Sequence, residues 1–238
     1  VAAVTLLATE GLSRHFGGVK AVDGVDFALD RGEIRAIIGP NGAGKTTLVG
    51  MICGRIDPSR GRVRFEDRDI TGLSAWARVQ RGIAYTFQIT SVFGGLTCFD
   101  NVALAAQRRV HGHRALDREV ARLLGRVGLA DRAGVVAGVL PYGHQRLLEI
   151  ALGLALKPKL LILDEPTQGL SDAEIDHFCA LIRDVAAEAT VLLIEHNMAV
   201  VMELAQRITV MDNGRILAEG APEEIRANPQ VQEAYLGS

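Results

Sequence analysis

A chain of 238 residues with 48% apolar side chains is long enough for one large α/β unit with a substantial core. Its 26 Lys and Arg against 28 Asp and Glu leave a net charge of −2, which excludes a global basic field that would recruit nucleic acid or an anionic membrane, so any phosphate recognition has to be local. No apolar run approaches the roughly 18 residues that span a bilayer, the apolar start lacks the basic flank of a secretion signal, and three scattered cysteines (Cys53, Cys98, Cys179) fit reduced thiols better than disulfides or zinc, so a soluble, cytoplasmic protein is expected.

In chain order, residues 6–11, 19–22, 25–29 and 62–65 are short apolar or alternating runs between Gly and Asp, which predicts strands of an antiparallel sheet. Ile34–Ile38 is continuously apolar apart from Arg35, as buried parallel strands are. It runs into Gly39-Pro40-Asn41-Gly42-Ala43-Gly44-Lys45-Thr46-Thr47, with a helical pattern from Lys45 onward. Glycines let the backbone curl until several N–H groups face one centre, the helix N-terminus adds partial positive charge, Lys45 adds a full one, and the Thr46 hydroxyl can bind Mg²⁺. This is a phosphate-binding loop, and a nucleoside triphosphate is its natural occupant.

A strand over 83–88 carries Gln88, after which the texture becomes helical. Thr97 and Asp100 have capping-box spacing, and an amphipathic helix over 116–127 is stopped by Gly128. Residues 93–157 therefore read as a helical lobe inserted into a core made of 1–92 and 158–238, the whole forming one domain. The arginines at 108, 109, 114, 118, 122 and 126 read as the solvated face of that lobe. Within it, Leu140-Pro141-Tyr142-Gly143-His144-Gln145-Arg146 precedes a helix with Leu147, Leu148, Ala151, Leu154 and Ala155 on one face. Two further buried strands, 159–164 and 191–195, lead to Asp164-Glu165 and to His196. At the end of such a strand the first carboxylate can hold Mg²⁺ through water and the second can orient or deprotonate an attacking water. Asn213-Gly214 predicts a hairpin turn, and Pro222 opens a final helix.

With these motifs in this order, the chain resembles the nucleotide-binding subunits of ATP-binding cassette (ABC) transporters over essentially its whole length. The resemblance implies an α/β fold: a P-loop NTPase (RecA-like) core with an N-terminal antiparallel β-sheet and an inserted α-helical lobe, using ATP and Mg²⁺. It implies that Gly39, Asn41, Gly42, Ala43, Gly44, Lys45, Thr46 and Thr47 hold the phosphates, that Phe16 lies against adenine, and that Thr46, Asp164 and Gln88 serve the metal. Glu165 would be the general base, His196 would contact the γ-phosphate and position the water, Lys45 would serve catalysis from the phosphate loop, and Gln88 would sense metal and water while facing the membrane subunit. Residues 168–172 would be the loop crossing the dimer interface.

Residues 140–146 match the family signature, usually Leu-Ser-Gly-Gly-Gln, so that Pro141, Tyr142, Gly143 and His144 would meet nucleotide bound by a second subunit. Here Pro141 replaces the serine and His144 the glutamine. Losing the serine's hydrogen bond to a charged group costs about 1.5–3 kcal/mol if nothing substitutes, although the helix N-terminus still offers N–H groups.

Further stretches, Thr86-Phe87-Gln88, Leu96-Thr97 with Asn101-Val102, Ile194-Glu195-His196-Asn197-Met198, and Asn228-Pro229 to Gly237, resemble importers of branched-chain and other hydrophobic amino acids. The partners implied are a second ABC ATPase subunit, permease subunits and, indirectly, a periplasmic solute-binding protein, with no nucleic acid. The place implied is the cytoplasmic face of the inner membrane. Alternatives within the fold are ATPases for urea or amide, aromatic acid or lipopolysaccharide transport, and a hydrolysis-poor partner in an asymmetric pair. A soluble nucleic-acid or translation ATPase would ordinarily bring a second cassette or coiled-coil arms, and a nucleotide kinase would need an acceptor site; the sequence shows neither.

Overall fold

The structure, a computed structural model, describes residues 4–86 and 91–236. The chain begins with two long strands, β1 (Thr5–Phe16) and β2 (Val19–Asp30), then β3 (Ile34–Ile38), α1 (Lys45–Ile52), β4 (Arg60–Phe65), β5 (Arg68–Asp69), α2 (Ala75–Gln80) and β6 (Ile83–Tyr85). β1, β2, β4 and β5 form an antiparallel sheet in the order β2-β1-β4-β5. Segments 19–22 and 25–29, which the sequence separates at Gly24, lie in one strand. Register shifts on either side of Leu12 act as bulges, and Gly11 (φ +54°) and Gly24 (φ +68°) take the left-handed backbone there without ending the pairing.

Helices α3 (Cys98–Ala106), α4 (His113–Arg126) and α5 (Tyr142–Ala155) follow and pack on one another. Thr97 caps α3, its Oγ1 accepting from Asp100 N–H at 3.0 Å, and Gly128 (φ +73°) terminates the turn after α4. The remaining elements are β7 (Leu160–Asp164), α6 (Asp172–Ala186), β8 (Thr190–Ile194), α7 (Met198–Leu204), β9 (Arg207–Asp212), β10 (Arg215–Gly220), α8 (Pro222–Ala227) and α9 (Pro229–Leu236). The helix that Pro222 opens is thus not the last. It ends at Ala227, because Pro229 cannot continue it and instead starts another.

The second sheet has the order β10-β9-β3-β8-β7-β6, parallel throughout except for the β9–β10 hairpin. β3, β7 and β8 are buried at every position, as two-sided coverage requires. Alternate residues divide the core. Leu161, Leu163, Val191 and Leu193 face the helices, whereas Ile37, Ile162, Leu192 and Ile194 join a cluster with α1 and the antiparallel sheet. All parallel strands therefore end at the edge where β3 turns into α1. The strand expected over 83–88 is described to Tyr85; Phe87 and Gln88 lie outside the described residues. Among the described residues no helix is long and apolar enough to cross a membrane, and the three cysteines are buried and unpaired.

Candidate functional site

The loop between β3 and α1 is held by backbone approaches that only glycine permits. A Cβ on Gly39 (φ +151°) would sit 2.1 Å from Met211 O, and one on Gly44 (φ +100°) 2.3 Å from Ala21 O. The β9–β10 turn braces the loop from outside: Gly214 N–H donates to Ala43 O at 3.0 Å, and Gly214 O accepts from Asp23 N–H at 2.9 Å. Lys45 opens α1 and is only 6% exposed; its Nζ donates to Gly39 O (2.6 Å) and Pro40 O (2.9 Å). Burial lowers its pKa, opposed by the charges of Glu165 and Asp164. The lysine is therefore within electrostatic reach of both acids.

A cleft of about 420 Å³ joins Asn41, Gly42, Ala43, Gly44, Lys45, Thr46 and Thr47 to Phe16, Glu165 and His196. Phe16 ends β1 half exposed, with the Arg14 guanidinium 4.6 Å from its ring centre. Glu165 leaves β7 with a left-handed φ of +49°, its N–H bonded to Ile194 O at 2.9 Å, and this kink turns the second acid away from the strand direction of the first. Its Oε1 lies 3.1 Å from His196 Nε2.

Asp164 is 1% exposed, and its Oδ2 accepts a 2.7 Å hydrogen bond from the Tyr85 hydroxyl; no other side-chain bond reaches the carboxylate among the described residues. Burial raises its pKa, the Tyr85 bond pulls it down, and the neighbouring Glu165 pushes it up. Tyr85 is itself pushed well above the phenol range by burial and by that same carboxylate, so it stays a donor. No cluster of three or more His, Cys, Asp or Glu among the described residues could hold a metal unaided. The donors fit a hard cation that a phosphate helps to hold, with one hydroxyl (Thr46) and one buried carboxylate (Asp164) beside a phosphate-binding loop.

Pro141, Tyr142, Gly143 and His144 do not line this cleft. They form the start of α5 and pack against residues 168–174 of the same chain. Pro141 occupies the N-cap with φ −52° and makes no side-chain cap. A Cβ on Gly143 would meet Gly169 O at 2.6 Å, Tyr142 Oη donates to Gln168 Oε1 at 3.3 Å, and His144 Nε2 lies 2.6 Å from Glu174 Oε1. Glu174 also accepts from Ser171 N–H and Oγ at 2.7 Å each, so one carboxylate caps α6 and ties it to α5.

Three contributors carry no motif of their own. Tyr85 reaches Asp164 only because β6 pairs with β7 in register. Glu195, 3% exposed, accepts from Thr167 N–H (3.0 Å), His196 N–H (2.9 Å) and Asn197 N–H (3.1 Å), which holds the segments bearing Glu165 and His196 together. Glu149, on α5, accepts from Ser91 N–H (2.5 Å) and Ser91 Oγ (3.0 Å) and pairs with Arg146 at 3.2 Å, joining α5 to the segment after Gln88.

Residues 22–168 match the family model described as "ABC transporter". The chain belongs to that family. As an ABC cassette it binds and hydrolyses ATP, and its α/β architecture is the ABC ATPase fold. A nucleotide-free ATP-binding cassette from an ABC transporter is 30% identical with a TM-score of 0.88, covering 99% of this chain and 100% of that one. The ADP conformation of the ATP-binding cassette MJ1267 gives 29% and 0.89 over the same shares. Residues 215–238 match a second family model, "Branched-chain amino acid ATP-binding cassette transporter". Among curated relatives, the high-affinity branched-chain amino acid transport ATP-binding protein BraF of Pseudomonas aeruginosa is 39% identical over 98% of both chains. LivG of Escherichia coli, which carries the same description, is 38% identical over 98% of both.

Proposed function

We propose that this cassette is the ATPase subunit of an importer for branched-chain or other hydrophobic amino acids. Full-length similarity to BraF and LivG supports that substrate class, and so does the separate match of the last 24 residues, 215–238. The cassette would act as a single domain, its 93–157 lobe presenting the signature helix to a second cassette and a groove around 91–97 to permease subunits at the cytoplasmic face of the membrane. A periplasmic solute-binding protein would select the cargo.

In this reading the loop N–H groups and Lys45 take the β- and γ-phosphates, Lys45 exchanging its bonds to Gly39 O and Pro40 O for phosphate oxygens, while Phe16 stacks on adenine. Thr46 and Asp164 would hold Mg²⁺, which neutralises charge developing on the phosphoryl group. Gln88 would complete that set. Glu165 takes a proton from the attacking water, and His196, 3.1 Å from its Oε1, holds the carboxylate and the γ-phosphate in one geometry. Pro141, Tyr142, Gly143 and His144 contribute the N-terminus of α5 to nucleotide on the partner subunit, so ATP joins the pair and hydrolysis releases it.

Proteoliposomes holding this cassette with its cognate permeases and binding protein test the proposal. ATP-dependent leucine uptake, abolished by Glu165→Gln, is expected; coupled uptake of urea or an aromatic acid in place of leucine would overturn the substrate class. Because Pro141 provides no side-chain cap, a hydrolysis-poor member of an asymmetric pair is the second reading, and an ATPase rate no higher than that of Glu165→Gln would favour it.

A further inference from the structure

At the opposite end of the parallel strands lies a second cleft, of about 450 Å³, between the β4–β5 turn, the end of α2, the segment after α3 and the end of α5. Its floor is Gly82 and Lys159, which precede β6 and β7; a five-residue strand such as β7 places it about 15 Å from the nucleotide edge. Six cations line it, Arg68, Arg81, Arg108, Arg109, Lys157 and Lys159, against one acid, Glu66. In a chain whose net charge is −2, that concentration is local and one-signed.

Two of the six have structural duties. Lys159 Nζ donates to Glu66 Oε2 at 2.7 Å, with Arg31 on the other oxygen at 2.7 Å, and Arg109 Nη1 donates to Leu156 O at 2.8 Å, capping the C-terminal end of α5. Glu66 is thereby neutralised twice over. Arg68, Arg81, Arg108 and Lys157 make no ion pair among the described residues, although Glu119 lies within electrostatic range of Lys157, and all four are exposed. Lys157 holds a left-handed φ of +48° just past α5, a position where glycine is unstrained, and the chain keeps a cation there. Four cations outside any ion pair on one concave surface repel one another, and a multivalent anion seated among them removes that repulsion while the arginine forks meet its oxygens in pairs.

We propose that this cleft is a binding site for a multivalent phosphate-bearing anion, separate from the nucleotide site and held by Arg68, Arg81, Arg108 and Lys157. Such an anion is available as a soluble polyphosphate or as the headgroup of a diphosphatidyl lipid, and both present the same chemistry. The test uses the intact cassette with its nucleotide loop saturated by Mg-ADP. Inorganic tripolyphosphate is titrated by calorimetry, and flotation is measured with phosphatidylcholine vesicles with and without cardiolipin.

Binding of tripolyphosphate is expected if the source is soluble, and cardiolipin-dependent flotation if it is lipid. In either arm Arg81→Glu and Lys157→Glu should each weaken binding at least about tenfold while ATPase activity stays unchanged, and Arg118→Glu, on the exposed face of α4, should not weaken it. Binding of neither probe would overturn the proposal, as would losses equal to those of Arg118→Glu.

Discussion

Replacing Tyr85 with Phe removes one oxygen and leaves the ring. The change deletes the 2.7 Å bond to Asp164 Oδ2 from a carboxylate that is 1% exposed, so water has little access to replace the donor. A hydrogen bond to a charged group contributes about 1.5–3 kcal/mol, and each 1.36 kcal/mol is a factor of about ten. If Asp164 holds Mg²⁺ with Thr46, the free Mg²⁺ giving half-maximal ATPase should rise about ten- to hundred-fold in Tyr85→Phe. The pH profile adds a second signature. Burial already raises the Asp164 pKa and Tyr85 opposes that rise, so losing the phenol should move the acid limb of the rate profile to higher pH. Initial rates over a Mg²⁺ series and a pH series measure both, with near-ultraviolet circular dichroism confirming the fold. A variant with unchanged Mg²⁺ demand and an unchanged acid limb would refute the claim that Tyr85 fixes the metal-side carboxylate.

Asp164→Asn should abolish hydrolysis yet stabilise the nucleotide-free chain at neutral pH. A carboxyl whose folded pKa is raised contributes nothing unfavourable below its unfolded value of about 3.9 and costs stability as pH climbs through the folded value. Thermal unfolding of the variant should therefore exceed that of the parent at pH 7, with the gap closing near pH 4; a gap that widens on acidification would contradict this sign. Glu165→Gln should lower kcat by about 10²–10⁴ while equilibrium dialysis shows ATP still bound; loss of binding would reassign Glu165 to nucleotide capture. Glu149→Ala should cost about 3 kcal/mol by removing the carboxylate that balances the Arg146 charge and accepts from Ser91 N–H, Arg146 keeping its bond to Tyr142 Oη at 2.8 Å, or roughly 6–12 °C for a domain this size; a melting temperature within about 2 °C of the parent would show the pair to be replaceable.

The candidate phosphate-loop, acid and histidine positions were legible without coordinates, because glycine spacing and full charges mark them in the sequence. Lys45, Thr46, Glu165 and His196 meet at one cleft because Glu165 and His196 follow the carboxyl ends of β7 and β8 and Lys45 and Thr46 open the helix after β3, strands whose apolar runs announce them. Tyr85 was not legible, since its role depends on which strand lies beside β7, and nothing in a local run of three residues specifies a neighbour 79 positions away. Glu195 read as a strand end, and only its bonds to Thr167, His196 and Asn197 mark it as the joint between two loops. Gly11 and Gly24 look like strand breaks in a one-dimensional pattern; pairing over twelve residues with β1 and β2 tolerates them as bulges.

Most two-residue hairpin turns on a surface accept added sequence, which is why tags and epitopes are so often placed in them. The Asn213-Gly214 turn cannot. Its glycine is bonded on one side to Ala43 and on the other to Asp23, and a Cβ there would lie 2.9 Å from Ala21 O. Adding a single residue between β9 and β10 would shift both bonds at once and loosen the ceiling over the glycine-rich loop, so labels for fluorescence or capture belong elsewhere.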